Sequence, residues 1–202
     1  MQTPSTSRRL PLTAAQKGLW YAQQLDPGNP LYNIAEYVEL RGDLDVARFT
    51  QAVRAMVLET EALHLVFCED EDGPWQRVEP PDDWHMPVVD LRGEEDPDAA
   101  VQARMREDLD SVHVSEGGPL FSEVLFLLSD DRYVHYQRAH HLLADGYSAM
   151  LLLGRITEHY DAMAAGGEAS PAPHGFLADL LAEEAEYTGS EQDEADRAFW
   201  AE

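Results

Sequence analysis

The strongest constraint on the fold is a strand that passes into a helix through a loop carrying two histidines. Arg132 to Ala139 alternates, with Tyr133, His135, Gln137 and Ala139 on one face and Val134, Tyr136 and Arg138 on the other. That is the period-two pattern of a strand. From Ala149 onward, Leu152, Leu153, Ile156, Tyr160 and Met163 recur at helical spacing, with Ser148 as the expected N-cap. Between them lies Ala139-His140-His141-Leu142-Leu143-Ala144-Asp145-Gly146-Tyr147-Ser148. Adjacent strand residues point to opposite faces, so continued alternation buries one histidine and turns the other toward a cleft. Rigid elements that present a loop are a common setting for function. Neutral imidazole can accept a proton near physiological pH. Asp145 can pair with a cation or with backbone N–H groups. Gly146 can take a positive φ or let a substrate approach the backbone.

The rest of the chain mixes helices and strands in an α+β pattern. Thr13 opens a helix to Gln24, in which the Trp20 ring is expected on the core with its N–H partnered. Asp26 to Pro30 is a loop, and Ile34 to Leu40 a strand ended by Gly42-Asp43. Asp43 or Asp45 caps a helix whose Val46, Phe49, Val53, Met56 and Val57 form one apolar face. Leu63 to Phe67 and Trp75 to Val78 read as a hairpin around the acidic turn Glu69 to Pro74. Met86 to Leu91 is a strand, and Asp96-Pro97 starts a helix to Leu109. Gly117-Gly118-Pro119 breaks the chain. Leu120 to Leu128 then pairs antiparallel with the histidine strand through Ser129-Asp130-Asp131. The expected organisation is a disordered lead over 1–9, a lobe over 10–173 ending in the linker Ala164 to Pro173, and an acidic helical segment over 174–202 broken near Tyr187 to Gln192.

The formal net charge of −25 argues against nucleic acid and against an anionic membrane surface as partners, because both would repel the chain. Cys68 is the only cysteine, so no internal disulfide can form, which fits a reducing, cytoplasmic setting. The polar start lacks the apolar core of a signal peptide, and no apolar run reaches membrane-spanning length. His135, His140 and His141 are poor metal ligands as a set: adjacent histidines on alternate faces converge badly, and no third well-spaced ligand follows. No metal is expected.

His140-His141-Leu142-Leu143-Ala144-Asp145-Gly146 resembles the HHxxxDG motif of condensation domains of nonribosomal peptide synthetases. Leu12-Thr13-Ala14-Ala15-Gln16-Lys17-Gly18-Leu19-Trp20 is similar to the opening motif of the same family. The resemblance runs from about Leu10 to the end and is nearest to siderophore-type synthetases. Glu59 to Phe67 lies where the family has Arg-His-Glu-x-Leu-Arg-x-x-Phe. Glu61, Leu63 and Phe67 match it; Glu59, Thr60 and His64 depart.

The resemblance implies the N-terminal lobe of the chloramphenicol-acetyltransferase-like (CoA-dependent acyltransferase) fold, with a second lobe completing the domain. It implies amide formation between a donor acyl or peptidyl thioester and the amine of an aminoacyl acceptor. Both substrates ride on phosphopantetheine of carrier domains, so the lobe itself is expected to bind no cofactor. His141 is the catalytic candidate; His140, Asp145 and Gly146 are motif and structural positions. Ser148 is a candidate for substrate positioning. An arginine partner for Asp145 is expected in the second lobe. With nine polar residues ahead of the match, the donor is expected on a separate polypeptide or as a free activated acyl group; a separate carrier protein is expected to dock through a local apolar or basic patch, with Arg8, Arg9, Lys17, Arg132 and Arg138 as the basic candidates. Two alternatives are a CoA-dependent acyltransferase of this fold and a non-catalytic carrier-docking domain.

Overall fold

Strand β7, Arg132–His140, is covered on both faces, and the other elements are arranged around it. The computed structural model describes residues 8–81, 83–112, 114, 120–173 and 175–201. Strand β2, Asn33–Arg41, lies antiparallel to β7 on one side, with Glu36 opposite Gln137 and Asn33 opposite His140. Strand β6, Phe121–Ser129, lies antiparallel on the other side, with Glu123 opposite Gln137. The short strand β5, Val88–Asp90, adds to β6 in parallel, giving the order β2-β7-β6-β5. A second sheet joins β1 (Leu10–Pro11), β4 (Gly73–Val78) and β3 (Leu65–Asp70), with β4 in the middle.

Helices α2, Val46–Glu59, and α4, Gly146–Ala164, pack on each other and on the face of β7 that carries Tyr133 and His135. Val53, Met56 and Val57 are fully buried there, as the spacing in α2 predicts. Helix α3, Pro97–Leu109, closes the other face against Phe126, Leu128, Val134 and Tyr136. Helix α1, Ala14–Leu25, is opened by Thr13 in a reciprocal capping box with Gln16. Helices α5, Leu177–Tyr187, and α6, Glu191–Trp200, end the described chain.

Several boundaries differ from the sequence reading. Leu63 does not begin a strand: Glu61–His64 forms a 3₁₀ turn, and β3 starts at Leu65. The hairpin turn shrinks to Glu71-Asp72 because Gly73 adopts φ +101°, which reverses the chain at once. Met86 and Pro87 lie outside β5. The breaker Gly117-Gly118-Pro119 and residues 1–7 of the expected lead lie outside the described residues. Arg9, assigned to that lead, instead forms a bidentate ion pair with Asp70. Trp20 is buried and stacks on Phe67, but its indole N–H finds no acceptor among the described residues.

The departures at Glu59, Thr60 and His64 are structural. Thr60 bonds the Met56 carbonyl, and the His64 ring lies 2.7 Å from the Val57 carbonyl. Glu59 receives the buried Arg155 guanidinium and the His159 ring of α4; Arg155 also reaches Glu158 and the Ser170 carbonyl. Burial would raise the Glu59 pKa, but the hydrogen bonds from Arg155 and His159 hold it below 4.5. Its charged form therefore stabilises the fold fully above pH 4.5, and that contribution is lost as the pH falls. Glu59→Gln should cost about 2 kcal/mol at neutral pH, because it weakens the charge-assisted hydrogen bonds to a buried arginine. Urea melts of parent and variant should converge as the pH drops below 4; a gap that stays constant would contradict the pairing.

Candidate active site

The histidine loop leaves the end of β7 and enters α4, as the alternation and the helical spacing predict. His140, the last residue of β7, is buried; His141 is half-buried in the turn that follows. The His140 ring belongs to a relay whose direction is set by backbone groups. The Leu142 N–H donates to His140 Nδ1 at 3.1 Å. An N–H can only donate, so Nδ1 is the acceptor and the proton sits on Nε2. That Nε2–H donates to Gln23 Oε1 at 3.2 Å. The Gln23 amide is oriented in turn, because its NH₂ group donates to the carbonyls of Asp26 and Asn29 at 3.0 and 3.1 Å. A second proton on His140 would point at the Leu142 N–H. Burial, reinforced by the charges of His141 and Arg138, pushes the His140 pKa down to about 4.

His141 is tied through its backbone alone: its N–H donates to the Tyr32 carbonyl at 2.8 Å, and its imidazole makes no hydrogen bond among the described residues. Gln16 adds a third brace. Its side-chain NH₂ donates to the Leu142 carbonyl at 3.1 Å, while its Oε1 accepts from the Thr13 N–H and from Gln76. Thus α1 and the 3₁₀ turn Pro30–Tyr32 hold the loop at Leu142, His140 and His141. Gln16, Trp20 and Gln23 make one buried stripe at four- and three-residue spacing. That spacing is visible in the sequence, but Gln23 was not read as part of the site.

Asp145, rather than Ser148, caps α4. Its Oδ1 accepts from the Ser148 N–H at 2.8 Å and from the Ser148 hydroxyl at 2.7 Å. These two bonds hold the Asp145 carboxylate below its ordinary pKa. Of the two pairings open to Asp145, the structure has the backbone N–H pairing, and Ser148 is engaged in the cap. Gly146, the first residue of α4, does not use a positive φ. A Cβ added there would meet nothing within 4 Å, so packing among the described residues does not require glycine. Space at that point remains free for a bound group.

Three of the five basic candidates are engaged in ion pairs, while Arg8 and Lys17 are exposed. Arg138 is buried and paired with Asp108; Arg132 is held by Glu39 and Asp98; Arg9 is held by Asp70. His135 bonds the buried Glu123 at 2.8 Å, with Phe49 edge-on to its ring. Among the described residues, no three His, Cys, Asp or Glu side chains converge as metal ligands. No described helix is long and apolar enough to cross a membrane.

A family model described as "Condensation domain" matches residues 6–202. The chain belongs to the condensation-domain family. A dimodular nonribosomal peptide synthase of Bacillus subtilis is 43% identical over 94% of this chain, which spans 8% of that protein. Enterobactin synthase component F of Escherichia coli O157:H7 is 37% identical over 97% of the chain, spanning 15% of that protein. Among solved structures, the starter condensation domain of rhizomide synthetase superposes with a TM-score of 0.87 at 38% identity, covering 96% of this chain and 47% of that one. The first condensation domain of the calcium-dependent antibiotic synthetase, solved with a substrate analogue, gives 0.85 at 35% identity with the same coverages. These likenesses establish the CoA-dependent acyltransferase-like fold. The chain spans a small part of the curated relatives and about half of the solved condensation domains.

The relay makes the condensation-domain loop sensitive to acid. An unfolded histidine titrates near 6.5 and folded His140 near 4, so between these values the unfolded chain binds more protons and stability falls as the pH is lowered. The full shift corresponds to about 3 kcal/mol. In denaturant melts from pH 7 to 4, His140→Asn should remove most of that pH-dependent loss while lowering stability at pH 7. Identical pH slopes for variant and parent would mean that His140 is not held neutral.

Proposed function

We propose that the chain is the N-terminal lobe of a condensation domain that joins a carrier-bound donor acyl or peptidyl thioester to the amine of a carrier-bound aminoacyl acceptor. The observation that carries the reading is the asymmetry of the histidine pair. His140 has both ring nitrogens engaged, whereas His141 stands half-buried on a braced backbone with its imidazole unengaged among the described residues.

In this reading the acceptor nitrogen attacks the donor thioester carbon. The C–N bond forms, the C–S bond breaks, and the donor's pantetheine sulfur leaves. His141 takes the proton released by the attacking amine, or accepts its hydrogen bond to aim the lone pair, and the proton ends on the departing thiol. His140 and Asp145 hold the loop. The α4 N-terminus at Gly146 faces the developing oxyanion with its N–H groups.

The phosphopantetheine arms belong to the carrier partners. A second lobe supplies the other wall of the site and the arginine partner of Asp145. The donor arrives on a carrier partner in a cytoplasmic synthetase. With Arg9, Arg132 and Arg138 already paired, docking by apolar contact is the stronger of the two modes.

In the complete two-lobed domain, His141→Ala should lower amide formation on the order of 10²–10⁴-fold with little change in thermal stability. Mass spectrometry of acceptor-carrier products reads this directly. An unimpaired His141→Ala domain would remove His141 from the chemistry.

A further inference from the structure

The sheet and α4 enclose a cleft of about 100 Å³ whose lining includes Ala139 and Gly146, the residues that bracket the histidine loop. Ile34, Phe121 and Leu152 make much of its lining apolar. One row of the sheet is different. Strand register sets Glu36, Gln137 and Glu123 side by side across β2, β7 and β6, and all three line the cleft. No part of the histidine motif accounts for them.

Gln137 is 6% exposed. Its NH₂ group donates to the Glu36 carboxylate and, at 3.3 Å, to the Ala149 carbonyl. Both are acceptors, so the amide cannot be flipped without facing oxygen to oxygen. Its Oε1 is thereby left buried with no partner among the described residues. A buried carbonyl without a donor costs about 1–3 kcal/mol, so its presence asks for a reason. On either side the row offers further acceptors: the half-buried Glu36, and Glu123 engaged by His135. What is missing among the described residues is a donor for the Gln137 Oε1.

We propose that Glu36, Gln137 and Glu123 form a specificity subsite for the donor acyl group, selecting acyl groups that carry a hydroxyl or amine over plain hydrocarbon ones. The apolar lining suits the carbon skeleton of such a group. The inference rests on the condensation reading above and adds the class of donor to it. A site built to bond an O–H or N–H rejects the analogue without it, because its own polar groups are then left unpaired.

The test uses the complete two-lobed domain with carrier-bound donors in matched pairs, straight-chain acyl groups and their hydroxylated counterparts, competing for one acceptor. The parent should favour the hydroxylated member of at least one pair on the order of tenfold or more, the worth of one hydrogen bond to a charged or buried acceptor. In Gln137→Met that ratio should fall toward one. If Gln137→Met does not fold, as judged by circular dichroism, Glu36→Gln carries the test, with a several-fold drop in the ratio expected. Equal use of both members of every pair by the parent overturns the inference and leaves the condensation reading standing. So does a ratio unchanged in the variants, or a change confined to the choice of acceptor. A parent that forms amide from no donor defeats the condensation reading and this inference with it.

Discussion

The site depends on the neutral imidazole of His140. That ring links α1 to the end of β7 and to the turn beyond it. Its two nitrogens meet opposite demands, a donor at Nε2 and an acceptor at Nδ1, and only the neutral tautomer with its proton on Nε2 meets both. Once the ring is fixed, the chain direction into the turn is fixed, and His141 emerges with its N–H on the Tyr32 carbonyl. The doubled histidine is thus a division of labour. One imidazole is spent on geometry so that the next can be left available for chemistry. Such preorganisation is what allows a single base to act efficiently.

The remaining braces repeat this logic with backbone partners. Gln16 caps its own helix and reaches the Leu142 carbonyl, so the opening motif and the histidine motif are parts of one hydrogen-bonded structure although they lie 126 residues apart in sequence. The Asp145 cap fixes where α4 begins, and the Glu59–Arg155 pair locks α4 to α2. A buried pair of this kind is a matter of register as much as of stability. Glu59, in a place where the family motif has arginine, supplies a negative charge that Arg155 of α4 matches.

Much of this could be read from residue patterns. The alternation of Arg132 to Ala139, the α2 stripe and the Asp96-Pro97 start are local signals, and the structure follows them to within a residue or two. The errors came where two local rules compete. Ser148 and Asp145 both suit a cap, and the two-bond geometry of Asp145 prevails. Leu63 suits a strand, yet the chain stays turned until Leu65. What the patterns did not reveal were long-range polar partnerships: Gln23 with His140, Arg155 with Glu59, Arg138 with Asp108, and the row Glu36–Gln137–Glu123. Each joins elements distant in sequence, and a glutamine or arginine on an amphipathic element looks the same whether it faces water or a buried partner. The cleft row needed the strand register, which no single segment carries.

The most direct measurement of the central claim is the tautomer of His140 in solution. Long-range ¹H–¹⁵N correlation spectra of the imidazole nitrogens at neutral pH should show His140 with a protonated Nε2 and a bare Nδ1. Gln23→Leu should perturb the Nε2 resonance, and the Leu142 amide should remain protected. A His140 ring protonated on Nδ1, or doubly protonated at pH 7, would contradict the relay and the account of the loop built on it.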